Sequence, residues 1–253
     1  MASVVFYFQV HQPYRLRRYT IFDSDTNYFD GRSNEEICRK VATKCYLPAT
    51  RRIADMVDAH EGRFRCSYSL TGTVLEQLQR WAPEVIEQFH RLAASGCVEF
   101  IAETYYHSLS FLYNRDEFVR QTQKQCQLME DLFGQRPKVF RNTELTYNND
   151  VAKVVEDMGF EAILSEGADH IMGYRSPNFI YNPPNCAGLR MLLKNYRLSD
   201  DIAFRFGNRG WPEWPLTTEK FAGWVDQKNG NGYVCNLVMD DETFGEHQRA
   251  DTG

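Results

Sequence analysis

The sequence predicts a parallel α/β domain, and three observations carry that expectation. Short apolar runs recur along the chain, amphipathic helical patterns fall between them, and polar residues gather where the runs end. A strand covered on both faces by helices reads as a nearly continuous β-branched and aromatic run. Crossovers between parallel strands need about a dozen residues or more and are right-handed, which the spacing of these runs accommodates. A barrel and a doubly wound sheet both satisfy the pattern.

The first run, Val4 to Val10, ends in His11-Gln12-Pro13. The second covers Phe64 to Leu70, and the third, Val98 to Ala102, runs into Glu103-Thr104-Tyr105-Tyr106-His107. Between them Leu75, Leu78, Trp81, Val85, Phe89 and Leu92 step by three or four, the spacing of one helical face. Phe118, Thr122, Cys126, Met129 and Leu132 repeat that spacing. Asn114 is placed as an N-cap with Glu117 completing a capping box, and Gly134 ends the helix. The fourth run, Lys138 to Asn142, leads into Thr143-Glu144, with a helix expected to begin near Asn148. Phe160 to Leu164, Leu189 to Lys194 and Val234 to Met239 complete seven strands, the last followed by Asp240-Asp241-Glu242-Thr243-Phe244-Gly245-Glu246-His247. Tyr174 to Pro184 and Gly207 to Pro215 are rich in Gly, Pro, Asn and aromatics and read as long loops, where ligands commonly bind.

Composition narrows the function classes. A chain of 253 residues that is 43% hydrophobic and 25% charged can build a sizeable core. Its net charge of -5, with no Lys/Arg-rich block interleaved with aromatics, excludes nucleic acid as an expected partner. The N-terminal apolar stretch lacks a basic flank and is too short to span a bilayer, so no membrane association is expected. Seven scattered cysteines without a C-x-x-C pair read as buried thiols in a reducing compartment, which points to the cytoplasm.

In parallel α/β folds ligands bind at the carboxyl ends of the strands. That rule selects four polar clusters, and carboxylates dominate them. Two acids held across a pocket on separate strands are what cleavage of a glycosidic bond requires. Glu144 and Asp240 form the natural pair. Each has a plainer reading: Glu144 as a loop acid favoured by the following helix dipole, Asp240-Asp241-Glu242 as a solvated acidic run or a hard-cation site. His11 and His107 could equally be hydrogen-bonded core residues, and Trp211 and Trp214 either packing residues or a sugar platform.

Four segments, in order, resemble the signature motifs of glycoside hydrolase family 57: Phe8-Gln9-Val10-His11-Gln12-Pro13, Gly96-Cys97-Val98-Glu99, Phe140-Arg141-Asn142-Thr143-Glu144-Leu145 and Met239 to His247. The third and fourth are most similar to the α-amylase-like group. The resemblance implies a (β/α)7 barrel, a retaining mechanism on an α-glucan or maltooligosaccharide, no cofactor and no metal in the chemistry, and an intracellular setting. By motif position Glu144 corresponds to the nucleophile, and Asp240, two residues before Glu242, to the acid/base. His11 and Gln12 are expected to bind sugar hydroxyls, and Arg141 to hold Glu144 charged or bind a hydroxyl. His107, Trp211, Trp214 and Glu242 join the substrate-binding set, with Glu99 and His107 also expected as supporting or barrel-interior groups. Family members continue past the fourth motif, so residues 1–253 are expected to be a catalytic barrel truncated there. The oligomeric state is left open.

Transglycosylation, as in a 4-α-glucanotransferase or branching enzyme, needs the same acid pair, and a non-catalytic α-glucan-binding protein is a further alternative. A metal-dependent polysaccharide deacetylase would need an H-x3-H pair, which the sequence lacks.

Overall fold

The computed structural model describes residues 2–249; residues 250–253, at the expected truncation, lie outside them. Seven parallel strands form one sheet: β1 (Ser3–Val10), β2 (Cys66–Leu70), β3 (Val98–Phe100), β4 (Val139–Arg141), β5 (Ala162–Glu166), β6 (Arg190–Lys194) and β7 (Val234–Asp240). Their order is β3-β2-β1-β7-β6-β5-β4, so consecutive strands are neighbours throughout and β7 returns to β1. A bridge at Ala102 joins the two outer strands: Ala102 N–H donates to Val139 O and Arg141 N–H to Ala102 O, each at 2.8 Å. The sheet thereby closes into a (β/α)7 barrel. Its thinnest seam lies between β6 and β7, where the ladder registers one pair, Lys194 with Asn236.

All seven predicted strands are present, because each apolar run is long enough to be covered on its outer face. The helices are α1 (Gly31–Val41), α2 (Leu47–Ala59), α3 (Gly72–Trp81), α4 (Pro83–Ala94), α5 (Arg115–Phe133), α6 (Asn149–Asp157), α7 (Asp169–Met172), α8 (Tyr196–Asp200) and α9 (Thr218–Asp226). The single face expected from Leu75 to Leu92 is two helices. Pro83 has no N–H to donate and takes the first position of α4, and Ala82 leaves the helical region at φ -150. The cap of α5 is as expected on the Asn114 side, whose Oδ1 accepts from Glu117 N–H at 3.1 Å, and Gly134 closes the helix at φ +67. The reciprocal half of the capping box does not form. The Glu117 carboxylate instead takes bonds from Arg120 and Gln121.

Alternation along the strands sorts the core. Outward residues of β1 and β2, among them Phe8, Val10, Tyr68 and Leu70, pack with Leu75, Leu78, Phe89 and Leu92 of α3 and α4. Around β4 to β6 a second cluster gathers Phe118, Phe140, Val151, Val155 and Ile163. The barrel interior is a small apolar layer of Tyr7, Ile101, Leu145, Leu164 and Val238, with Val139 and Leu192 against it. Glycine is required at two joints. A Cβ on Gly72 would lie 2.3 Å from the Tyr105 ring, and one on Gly245, at φ +136, would lie 2.2 Å from Lys44 O. The segment after β7 is thus seated directly on the turn between α1 and α2.

Candidate active site

Two residues beyond Tyr7, Ile101, Val139, Leu164, Leu192 and Val238 of the interior layer, the same strand face carries a polar side chain: Gln9 on β1, Glu103 after β3, Arg141 on β4, Glu166 on β5, Lys194 on β6 and Asp240 on β7. Apolar filling therefore gives way to a charged ring at the carboxyl end of the barrel. On β2 the matching position is Ser69, whose hydroxyl bonds the Tyr7 hydroxyl.

The side of the ring built by β1, β3 and β4 is closely knit. His107 Nε2 lies 2.8 Å from Glu144 Oε1, and His107 Nδ1 lies 3.3 Å from Glu103 Oε2. Gln9 Nε2 also donates to Glu103 Oε2, at 3.1 Å, and Arg141 Nη1 approaches the same oxygen at 3.6 Å. The His11 ring stacks on His107 with centroids 4.2 Å apart, and its Nδ1 bonds the Thr71 hydroxyl at 2.9 Å. His107, Glu144 and Leu145 all adopt left-handed backbone, with φ of +52, +54 and +54. Such conformations cost about 1 to 3 kcal/mol each for residues other than glycine and persist where surrounding structure over-determines them.

Charge follows from this geometry. Burial opposes the charged form of His107, but its bonds to Glu103 and Glu144 outweigh burial and raise its pKa above the ordinary histidine value. The bond from His107 holds the Glu144 carboxyl below the usual glutamate range against partial burial, with Arg141 adding to the effect. Glu103 is also held low, because His107 and Arg141 outweigh the cost of complete burial. His11 moves the other way: burial, then the neighbouring His107 charge, pushes it down to about 4. The two stacked imidazoles are thus shifted in opposite directions.

Glu144 and Asp240 face a common cavity of about 180 Å³, whose walls also include Gln9, Arg141, Glu166, Lys194 and His247. Glu144 is brought there by the turn after β4, and it is Asn148, not Glu144, that caps α6. Asp240 is the last, exposed residue of β7. The acidic run after it is no solvated stretch: Asp241 and Glu242 are buried at 1% and 6% exposure. Glu242 accepts from the Tyr46 hydroxyl and from Gln12 Nε2, so Gln12 and Glu242 bond to each other instead of lining that cavity. Burial and the nearby Asp240 charge push Glu242 up to about 7 despite those bonds, and burial holds Asp241 well above the carboxylate range.

Trp211 lies elsewhere. It packs edge-on against Trp224 in a separate polar cleft of about 930 Å³, while Trp214 is 42% exposed under the Arg209 guanidinium. Glu99 sits at the opposite mouth of the barrel, in a hollow with Val5, Arg65 and Ser67. Gln9, Glu103, Glu166 and Lys194 were not singled out by the sequence reading. Their signal was present as polar residues two positions beyond inward apolar ones. Among the described residues, no group of three His, Cys, Asp or Glu side chains is arranged to hold a metal ion, and no helix is long and apolar enough to cross a membrane.

A closed seven-stranded parallel barrel with a ring of polar side chains at its carboxyl mouth defines a TIM-like barrel protein. The sequence pattern of glycosyl hydrolase family 57 matches residues 5–253, and the chain belongs to that family. A protein of Methanocaldococcus jannaschii named "Putative alpha-amylase" is 44% identical over 254 residues, covering 99% of this chain and 53% of the relative. The chain thus spans about half the length of that curated relative. The crystal structure of 4-alpha-glucanotransferase from Thermococcus litoralis superposes with a TM-score of 0.73 at 16% identity, covering 96% of this chain and 34% of that one. The GH57-type branching enzyme of Pyrococcus horikoshii gives 0.68 at 15% identity, covering 97% and 64%. These two likenesses establish the shared barrel.

Proposed function

We propose that this chain is the catalytic barrel of a retaining glycosidase that cleaves α-1,4-glucosidic bonds of α-glucans or maltooligosaccharides. The observation that carries the reading is the convergence of Glu144 and Asp240, from β4 and β7, on one cavity, with Glu144 bonded to His107 at 2.8 Å. The name of the M. jannaschii relative supports the α-glucan class. Seven unpaired cysteines, six of them buried, fit a reducing cytoplasm.

In the first half-reaction a Glu144 carboxylate oxygen bonds to the anomeric carbon as the glycosidic C–O bond breaks. Asp240 passes its proton to the departing oxygen, and a covalent glycosyl-enzyme remains. In the second half, Asp240 takes a proton from water, the new hydroxyl attacks the anomeric carbon, and Glu144 leaves with its bonding pair. Two inversions give net retention, which requires the carboxyl groups about 5 to 5.5 Å apart. His107 stabilises Glu144 as an anion before attack and as a leaving group afterwards. Arg141 adds positive charge at the same side, and His11, neutral and stacked on His107, presents a ring nitrogen to a sugar hydroxyl.

Incubation with maltoheptaose, with products separated by length and their anomeric protons followed by NMR, tests the reading. Shorter α-anomers are expected. Longer chains as well would assign the site to transglycosylation, β-anomers would refute retention, and intact maltoheptaose would favour a glucan-binding protein.

A further inference from the structure

Glu103 has no exposed side-chain surface, and burying an unpaired carboxylate costs several kcal/mol. Its compensation is lopsided. Oε2 meets Gln9 Nε2 at 3.1 Å, His107 Nδ1 at 3.3 Å and Arg141 Nη1 at 3.6 Å, while Oε1 is buried without a hydrogen-bond partner. A carboxylate kept at such cost, with its bonds gathered on the oxygen that faces an imidazole, is poised to act on that imidazole. The other ring nitrogen of His107 points at Glu144, and the left-handed backbone at both His107 and Glu144 fixes that alignment.

We propose that Glu103 is a positioning residue for the reaction: through His107 it keeps a proton on each imidazole nitrogen, one bond turned to itself and the other to Glu144. This rests on the glycosidase reading and names a residue which that reading did not use. A neutral His107 could hold its single proton on Nδ1, toward Glu103, and leave Glu144 facing a lone pair. It could equally accept from Gln9 Nε2, 3.1 Å from Nδ1. The buried Glu103 charge removes both options by favouring the doubly protonated ring. The groups facing His107 are Gln9 from β1 and His11 just after it, Glu103 from the segment after β3, and Arg141 and Glu144 from β4 and its turn. Arg141 and the stacked His11 act against a charge on His107 or leave it unchanged, so the two carboxylates decide it.

Glu103→Gln keeps the shape and removes the charge. The His107 titration, followed by NMR of its ring, is expected to move down by at least one pH unit. The alkaline limb of the kcat/KM profile should fall, because His107 loses its proton sooner, while the acid limb, set where His107 is still protonated, stays within a few tenths of a unit. The expected loss is tens-fold in kcat with KM within about threefold, and Glu103→Asp should restore part of the titration shift. A folded Glu103→Gln protein with unchanged His107 titration overturns the proposal. So does a shift that leaves the alkaline limb in place in an active protein. A wild-type chain without turnover whose His107 still responds to Glu103 refutes the glycosidase reading and leaves the charge coupling standing.

Discussion

The two halves of the barrel mouth are built differently. On the β1–β4 side, Gln9, Glu103, His107 and Glu144 are linked through hydrogen bonds of 2.8 to 3.3 Å, around a Glu103 side chain with no exposed surface. On the β5–β7 side, Lys194 reaches Glu166 and Asp200 only at 3.6 and 3.5 Å, and β6 and β7 register a single pair. The comparison teaches that electrostatic preorganisation is concentrated on one side of the mouth: a carboxylate whose charge is set by its neighbours is held there in a hydrogen-bonded network, whereas the other side is loosely tied.

The largest expected effect separates the two carboxylates. Glu144→Gln should lower kcat on maltoheptaose by roughly 10⁴-fold or more while glucan binding persists. Asp240→Asn should cost about 10² to 10⁴. On an aryl maltooligoside whose leaving group needs no proton, the Asp240→Asn loss should shrink and the Glu144→Gln loss should not. Equal losses on both substrates would break the assignment of roles.

Stability sharpens the same contrast. Arg141→Met removes a buried cation beside Glu103 and should cost about 3 kcal/mol in urea unfolding. Lys194→Met loses only two long, partly solvated pairs and should cost less than about 1 kcal/mol. Similar values for the two would mean that the halves are equally tied.

A smaller effect comes from behind β7. Glu242 has a folded pKa of about 7 against 4.5 for the free side chain, so its contribution is fully present below pH 4.5 and is lost as pH rises through about 7. The difference in stability between wild type and Glu242→Gln, followed by melting temperature between pH 4.5 and 8, should fall over that window by the equivalent of about 2 to 3 kcal/mol, while His11, pushed down to about 4, acts in the opposite direction equally in both proteins. A difference that stays constant over the window would contradict the raised Glu242 carboxyl; Asp241, whose carboxyl is also raised, contributes equally to both proteins.

The barrel was legible because its outward strand residues are apolar in unbroken runs, and because Glu144 and Asp240 stand directly after two of them. Other features depend on information that a run of residues does not carry. The break at Ala82 interrupts apolar spacing that is continuous across it, and only the missing N–H of Pro83 signals it. Gln9 lies inside an apolar run and Glu103 in a polar cluster, and neither declares its face until the inward layer of Tyr7 and Ile101 is known. The acids after Asp240 read alike in sequence, but Gly245 folds the segment onto Lys44, which buries Asp241 and Glu242. Trp211 and Trp214 share one Pro-rich loop, and the fold sets Trp211 in a cleft apart from the carboxylates.

The central claim is that Glu144 bonds covalently to the sugar. Incubation with a 5-fluoro maltosyl fluoride, which slows breakdown of a glycosyl-enzyme, followed by acid quench and peptide mass spectrometry, tests it most directly. The account predicts one fluoromaltosyl adduct, on the peptide carrying Glu144, absent in Glu144→Gln and present in Asp240→Asn. An adduct on Asp240, or inactivation without an adduct on Glu144, would contradict it.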